Sequence, residues 1–456
     1  MNRKLLFFIL ILSLFITMQG IAQEAYSLKA CVDFALENNH NLKKSELDRQ
    51  KSQQSRQEIL GNLLPQVNGS GSMSYNLKKP KFIMPNFIND MLPPVAQDPN
   101  AAKYLTIEMG TNYSAGLGAT LNQQVFNYSL FSMLELAKIA ESMASLNIES
   151  KEEDIIAQTA SLFYSIQSTE YAVGQFKKSL GLIEKMLKTM ETNFENGMVR
   201  KVDVDRMKVN RVNLATQLSA IENAIEIQKN LLKLQLGFSM DKTIAITPID
   251  LQFFEYKATS GYTYSFQIDR LIPFKVIQQQ QKMSEQQVKS VLGESLPSLT
   301  FGLNYQHNFI SDEFFTGETY YNYPSSNIGL NLRVPIFGGL SRSAKLKGAK
   351  IEQLKLKEDE QMISQSLNMA YKNALLKLSD SKKTIEAQRE NIKMVEEVFS
   401  ITESNFMQGL ASMSDVLNAN SSLIQAQLSY SDALNNYMKA YVELHKANGT
   451  IKEITE

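Results

Sequence analysis

All eleven prolines of the chain lie outside two long tracts, Asn127–Thr247 and Ile336–Glu456. A proline inside a helix costs about 3 kcal/mol, because it removes a backbone donor and its ring strikes the preceding turn. Two proline-free tracts of this size predict very long helices. The tracts also repeat one another. Phe194-x-x-Gly197-x-x-x-x-x-Asp203-Val204 recurs as Phe406-x-x-Gly409-x-x-x-x-x-Asp415-Val416, and the copies end at the same distance, in Leu236-Gly237 and Asn448-Gly449. Upstream, Leu64-Pro65 answers Leu296-Pro297, and Val125-Phe126 answers Ile336-Phe337. The pattern reads as an internal duplication.

Seven-residue periodicity runs through both copies. Ile166, Val173, Leu180, Leu187 and Phe194 precede the first glycine; Leu378, Ile385, Ile392, Phe399 and Phe406 precede the second. Such a repeat makes helices coil around neighbours. After Gly409 one seam position holds Val416, Leu423, Tyr430, Tyr437 and Leu444. The position three later holds Ala419, Ala426, Ala433, Ala440 and Ala447, which predicts tight packing against a partner helix. Gly197 and Gly409 read as sharp turns between antiparallel helices. The helix from Asn127 to Asn196 would extend on the order of 100 Å at 1.5 Å per residue, which points to a tube or rod.

Between the upstream landmarks the period changes to two. Met73, Tyr75 and Leu77 alternate with polar residues, as do Tyr113 to Leu121, Leu299 to Phe309, and Ile328 to Val334. Four segments of about ten residues are long enough to cross a bilayer as tilted strands, with Asn304, Gln306, Asn327 and Asn331 facing water. A soluble four-stranded sheet is the alternative. Lys78–Gly110 reads as a long proline-bearing loop and Ile310–Ser326 as an aromatic-rich one. Four strands cannot close a barrel, and open edges are forbidden in lipid, so a spanning chain must oligomerise through its strands.

The start of the chain bears on its compartment. Arg3 and Lys4 precede an apolar run from Leu5 to Ile16, and Gly20-Ile21-Ala22 stands before Gln23. This predicts a secretory signal peptide over residues 1–22, with an uncleaved anchor as the alternative. The single cysteine, Cys31, does not follow the cleavage site, so no lipid anchor is expected; it reads as a small buried residue. Lys plus Arg number 47 and Asp plus Glu 47, without long runs of either sign, which argues against a nucleic-acid footprint. His40, His307 and His445 lack metal-ligand spacing; His307 reads as a strand end and His445 as solvated or interfacial. Asp203 and Asp205, beside Arg200, Lys201 and Arg206, can be a solvated helix start. No catalytic residue, metal or cofactor is expected.

With these features in order, the chain resembles the TolC-like outer membrane efflux proteins. The resemblance is carried by Ser27-Leu28-x-x-Cys31-x-x-x-Ala35-x-x-Asn38-Asn39, Leu63-Leu64-Pro65-Gln66, Leu296-Pro297-Ser298-Leu299 and Val334-Pro335-Ile336-Phe337-Gly338-Gly339. The two glycine turns and Asp415-Val416-Leu417-Asn418-Ala419 complete it. His40 stands where the family usually has proline.

The resemblance implies an α+β membrane protein. A long antiparallel coiled-coil helical tube would stand in the periplasm, and each chain of a homotrimer would give four strands to a twelve-stranded transmembrane β-barrel. It implies the outer-membrane channel of a tripartite efflux or type I secretion system in a Gram-negative cell, with a periplasmic adaptor, an inner-membrane transporter and outer-membrane lipid as partners. Docking falls to the tips, Gly197, Met198, Val199, Arg200, Gly409, Leu410 and Ala411. Asp415 would be a gate acid, and Asn418 stands where the family has a second one. The segment Asp250–Asp269 would lie in a belt around the tube.

The expected division is a first structural repeat over 23–237, an equatorial linker over 238–266, a second repeat over 267–449 and a tail over 450–456. A periplasmic coiled-coil scaffold without channel activity is the other reading.

Overall fold

The computed structural model describes residues 25–251, 266–314 and 320–455. The expected signal peptide, about half of the expected linker and much of the expected belt segment lie outside the described residues. The protein is mostly helical. Its helices are α1 (Leu28–Asn38), α2 (His40–Gly61), α3 (Phe87–Met91), α4 (Tyr128–Glu195), α5 (Lys201–Leu236), α6 (Ile272–Gly293), α7 (Ser341–Met407) and α8 (Met413–Ala447). The strands are β1 (Gln66–Tyr75), β2 (Lys81–Pro85), β3 (Tyr104–Glu108), β4 (Tyr113–Phe126), β5 (Ser298–Ser311) and β6 (Tyr321–Arg333). As the missing prolines predict, α4 runs 68 residues and α7 67.

One compact unit comprises residues up to Gln50, Ser142–Gln280 and Leu356–Glu456. Its core draws Cys31, Val32 and Ala35 from α1, Phe163, Phe176 and Ile183 from α4, Val204 and Leu214 from α5, Ile385 and Ile392 from α7, and Tyr430 and Tyr437 from α8. The heptad positions of α8 go inside: Val416, Leu423, Tyr430, Tyr437 and Leu444 are buried, as are Ala419, Ala426, Ala433 and Ala440, while Ala447 is half-buried. Small polar groups join α4 to α8, with the Ser431 hydroxyl donating to Ser168 O at 2.7 Å and Ser179 donating to Gln427 Oε1 at 3.3 Å. Ala433→Leu or Ala440→Leu forces a larger side chain into this filled seam, at a typical cost of 1–3 kcal/mol. The same change at exposed Ala220 is expected to stay within about 0.5 kcal/mol. Thermal unfolding midpoints of the purified variants decide it; equal midpoints would break the seam assignment.

The turning glycines repeat in space as in sequence. Gly197, Gly237, Gly409 and Gly449 all take positive φ, from 70° to 74°. Gly409 follows Gly197 by 212 positions, as Gly449 follows Gly237. Each closes its helix with the same pair of backbone bonds, for example Phe238 N–H to Lys233 O at 2.9 Å and Thr450 N–H to His445 O at 2.8 Å. Left-handed backbone is open to glycine without steric cost.

The other unit comprises Lys51–Glu141 and Gln281–Lys355. It holds an antiparallel sheet in the order β1-β4-β5-β6, whose strands are 10, 14, 14 and 13 residues long. Register places Val67, Leu121, Leu303 and Ile328 in one row, and Asn68, Thr120, Asn304 and Asn327 in the next. Successive residues point to opposite faces, so one face is apolar and the other carries Asn, Gln, Ser, Thr and Gly. The apolar face is bare: Val67, Leu117, Ile328, Leu330 and Leu332 are all exposed.

Three readings need correction here. Lys78–Gly110, read as a loop, contains the β2–β3 hairpin and α3. Phe82 opposite Ile107, Met84 opposite Leu105 and a Lys81–Glu108 ion pair at 3.2 Å hold the hairpin. Its prolines fall at strand ends or in the connection, where a missing donor costs little. His307 lies inside β5, opposite Leu117 and Pro324, rather than at its end. His445 is buried rather than solvated, because its ring meets Tyr441 at 4.5 Å and Thr450 Oγ1 at 3.0 Å.

Candidate functional site at the helix tips

At the first tip, α4 closes as Gly197 N–H donates to Phe194 O at 2.9 Å and Met198 N–H donates to Asn193 O at 2.8 Å. At the second, Gly409 N–H donates to Phe406 O at 3.0 Å and Leu410 N–H to Asn405 O at 2.8 Å. In this closure the residue after the glycine commonly packs back on the one whose carbonyl accepts the outermost bond. Here those positions are Asn193 and Asn405, which offer no apolar surface. Met198 and Leu410 are each 76% exposed as a result. Val199 and Ala411, next in line, are half-buried, and Arg200 is exposed.

The return helices start differently. At α5 the cap residue is Arg200, which has no side-chain acceptor; its guanidinium donates to Asp203 at 2.9 and 3.3 Å. Asp203 is buried, which corrects the reading of a solvated helix start, while Asp205 is exposed. At α8, Ser412 and Asp415 form a reciprocal capping box. The Ser412 hydroxyl and backbone N–H donate to Asp415 Oδ2 at 2.6 and 2.8 Å, and Asp415 N–H donates to Ser412 Oγ at 3.3 Å. The hydroxyl bond, then the backbone bond, hold the Asp415 carboxyl below the usual carboxylate range. Asn418 is exposed one turn further along.

The starts of α5 and α8 lie side by side, separated by a groove of about 460 Å³. Val202, Asp205, Arg206 and Val209 line one wall, Ser414 and Leu417 the other. Local periodicity could not reveal this groove, since it depends on which helix packs against which. The duplication held a clue: Val202 and Asp205 occupy the same repeat positions as Ser414 and Leu417.

Among the described residues no group of three or more His, Cys, Asp or Glu side chains could hold a metal ion, and no helix is long and apolar enough to cross a membrane. Cys31 is buried, and burial pushes its thiol up to about 12.

Known proteins share this architecture. The family model described as "Outer membrane efflux protein" matches residues 32–237 and 274–450. The chain is 20% identical to the outer membrane protein TolC of Vibrio cholerae over 345 residues, which is 74% of this chain and 77% of that protein. It is 21% identical to TolC of Escherichia coli over 353 residues, 73% of this chain and 69% of that one. A crystal structure of CusC superposes with a TM-score of 0.71 at 15% identity, covering 92% of this chain and 91% of CusC. The matched residues take in both long helical hairpins with their turning glycines, and the chain therefore belongs to the outer membrane efflux protein family, as a TolC-like protein of the Gram-negative outer membrane.

Proposed function

We propose that three copies of this chain form the outer-membrane channel of a tripartite efflux or type I secretion system, conducting substrate passively from a periplasmic adaptor and inner-membrane pump to the exterior. The observation that carries the reading is the four-stranded sheet, with its bare apolar face and two open edges. All ten residues of β1 and all thirteen of β6 are exposed. Lipid accepts the apolar face, but open edges only if other strands pair them. Three such sheets, joined β1 to β6, close a twelve-stranded barrel.

The helices support the same assembly. α7 buries only Tyr371, Ala374, Ile385, Ile392 and Phe399 along its 67 residues. Met362, Met369 and Leu376 stay exposed at heptad spacing, as do Met394 and Ile401. Such stripes suit helices of neighbouring copies, which would complete a periplasmic tube. The family is one of channels rather than enzymes, and the two repeats then supply equivalent halves of each protomer's wall.

Purified protein is expected to run as a heat-modifiable trimer from the outer-membrane fraction and to conduct in planar bilayers. Recovery as a detergent-independent soluble monomer would instead favour the periplasmic scaffold. In those recordings Asp415 is the proposed entrance acid, and Asp415→Asn is expected to lower cation preference by about twofold without loss of trimer. Asparagine still accepts the Ser412 bonds, so the helix start stays capped. Because the folded pKa is depressed, the acid's contribution is present above the ordinary carboxylate pKa and disappears only as pH falls through the lowered value. Unchanged selectivity would leave Asp415 as a capping residue alone.

The tips are proposed as the adaptor-docking site. Met198 and Leu410 give each protomer two exposed apolar knobs at equivalent places in the sequence. A photocrosslinker at Val199 or Ala411 is expected to capture the adaptor in cells. Capture from mid-helix positions only would move docking elsewhere.

A further inference from the structure

We infer that Arg333 sets the ionic selectivity of the membrane passage: in the assembled barrel three copies form a ring, at the helix-side end, that favours anionic solutes. The inference rests on the trimeric-barrel reading above. The polar face of β1, β4, β5 and β6 carries no acid and no lysine. Its one formal charge is Arg333, the last residue of β6. Register fixes the face, since Arg333 stands opposite Ser298 and Asn331 opposite Thr300. Arg333 therefore shares a side with Asn331 and Asn327, away from Leu330 and Leu332. An apolar face turned to lipid leaves the other, with this guanidinium, turned to the lumen.

Among the described residues nothing neutralises it. Arg333 is exposed and makes no ion pair among the described residues. Glu294 and Lys345, which flank the strands, are paired with each other at 3.0 Å and largely cancel. A guanidinium stays charged at every working pH. In water a unit charge at roughly 10 Å changes the local concentration of a monovalent ion about twofold, so three reach about eightfold at low salt. The rest of the strands' polar face carries no formal charge. Solutes bearing carboxylate or phosphate groups are the class this ring admits most readily.

The test is the reversal potential of the purified trimer in planar bilayers under a KCl gradient at low ionic strength. Arg333→Gln is expected to lower the chloride-to-potassium permeability ratio at least twofold relative to the unmodified protein, and Arg333→Glu further. Ser298→Glu, across the ladder from Arg333, should imitate the loss, whereas Asn327→Arg should raise the ratio. Charges elsewhere in the pathway cancel, because each result is a difference between variants. Channels of normal conductance whose ratio ignores Arg333→Gln and Arg333→Glu would overturn the assignment. If the unmodified protein forms no channels at all, the barrel reading itself fails, and the inference with it.

Discussion

Gly237→Ala is expected to destabilise the helical unit by about 3 kcal/mol, although it adds a single methyl group. Two costs meet at this residue. Its φ of +70° is a left-handed conformation, which costs an L-residue roughly 1–2 kcal/mol. The new Cβ would also stand 2.7 Å from the carbonyl oxygen of Asn38, and a backbone atom cannot swing aside as a side-chain end can. The surroundings resist any shift of α1. Asn39 Nδ2 donates to Gln235 O at 2.9 Å, and Tyr26, Phe34 and Phe238 pack ring to ring, with Lys242 Nζ 3.5 Å from the centre of the Phe238 ring.

Gly449→Ala has the same backbone strain, with φ +73°, but its Cβ would come closest to the end of the Leu271 side chain, at 3.1 Å, with Arg270 at ordinary contact distance, so a smaller loss is expected. Gly174→Ala, in the interior of α4 with nothing within 4 Å, should raise stability by about 0.5–1 kcal/mol through helix propensity. Thermal unfolding by circular dichroism in detergent ranks the three. A Gly237→Ala midpoint equal to that of Gly174→Ala would refute the close contact with Asn38.

The helical plan was legible because its signals are local and additive. Missing prolines, heptads and glycines at matched spacing each act within a few turns, and the structure returns α4, α5, α7 and α8 close to the ranges they imply. The four membrane-length strands were legible for the same reason, through alternation. What the sequence hid depends on pairing. β4 lies against β5, from the other repeat, with Leu121 opposite Leu303, and no local pattern encodes that neighbour. The short strands β2 and β3 carry five residues each amid prolines, too few to show a period.

At the tips, the glycine turns were evident, but the unlike treatment of the two helix starts was not. Asp203 and Asp415 hold the same position in the repeat, yet one pairs with Arg200 and the other caps against Ser412. The difference lies in the residue three places earlier, whose meaning emerges only once the helix start is known.

Leu303→Lys is expected to remove the protein from the outer membrane, while Asn304→Lys, the very next residue of β5, leaves it there. The two side chains point to opposite faces of one strand. Leu303 stands between Leu121 and Ile328, and Asn304 between Thr120 and Asn327. If the apolar face meets lipid, a lysine at mid-depth costs about 2–4 kcal/mol in each chain, and a trimer bears that cost three times. Such a total is comparable to the whole stability of an ordinary domain. On the polar face the ammonium remains in water, and the cost falls within about 0.5 kcal/mol. A soluble sheet wetted on both sides behaves differently: Leu303 is already 41% exposed in the protomer, and either lysine would be tolerated alike. Trimer yield in the washed outer-membrane fraction, with total protein measured by immunoblot, separates these cases. Equal yields for the two variants would remove the main support for a membrane-spanning sheet and return the protein to the scaffold reading.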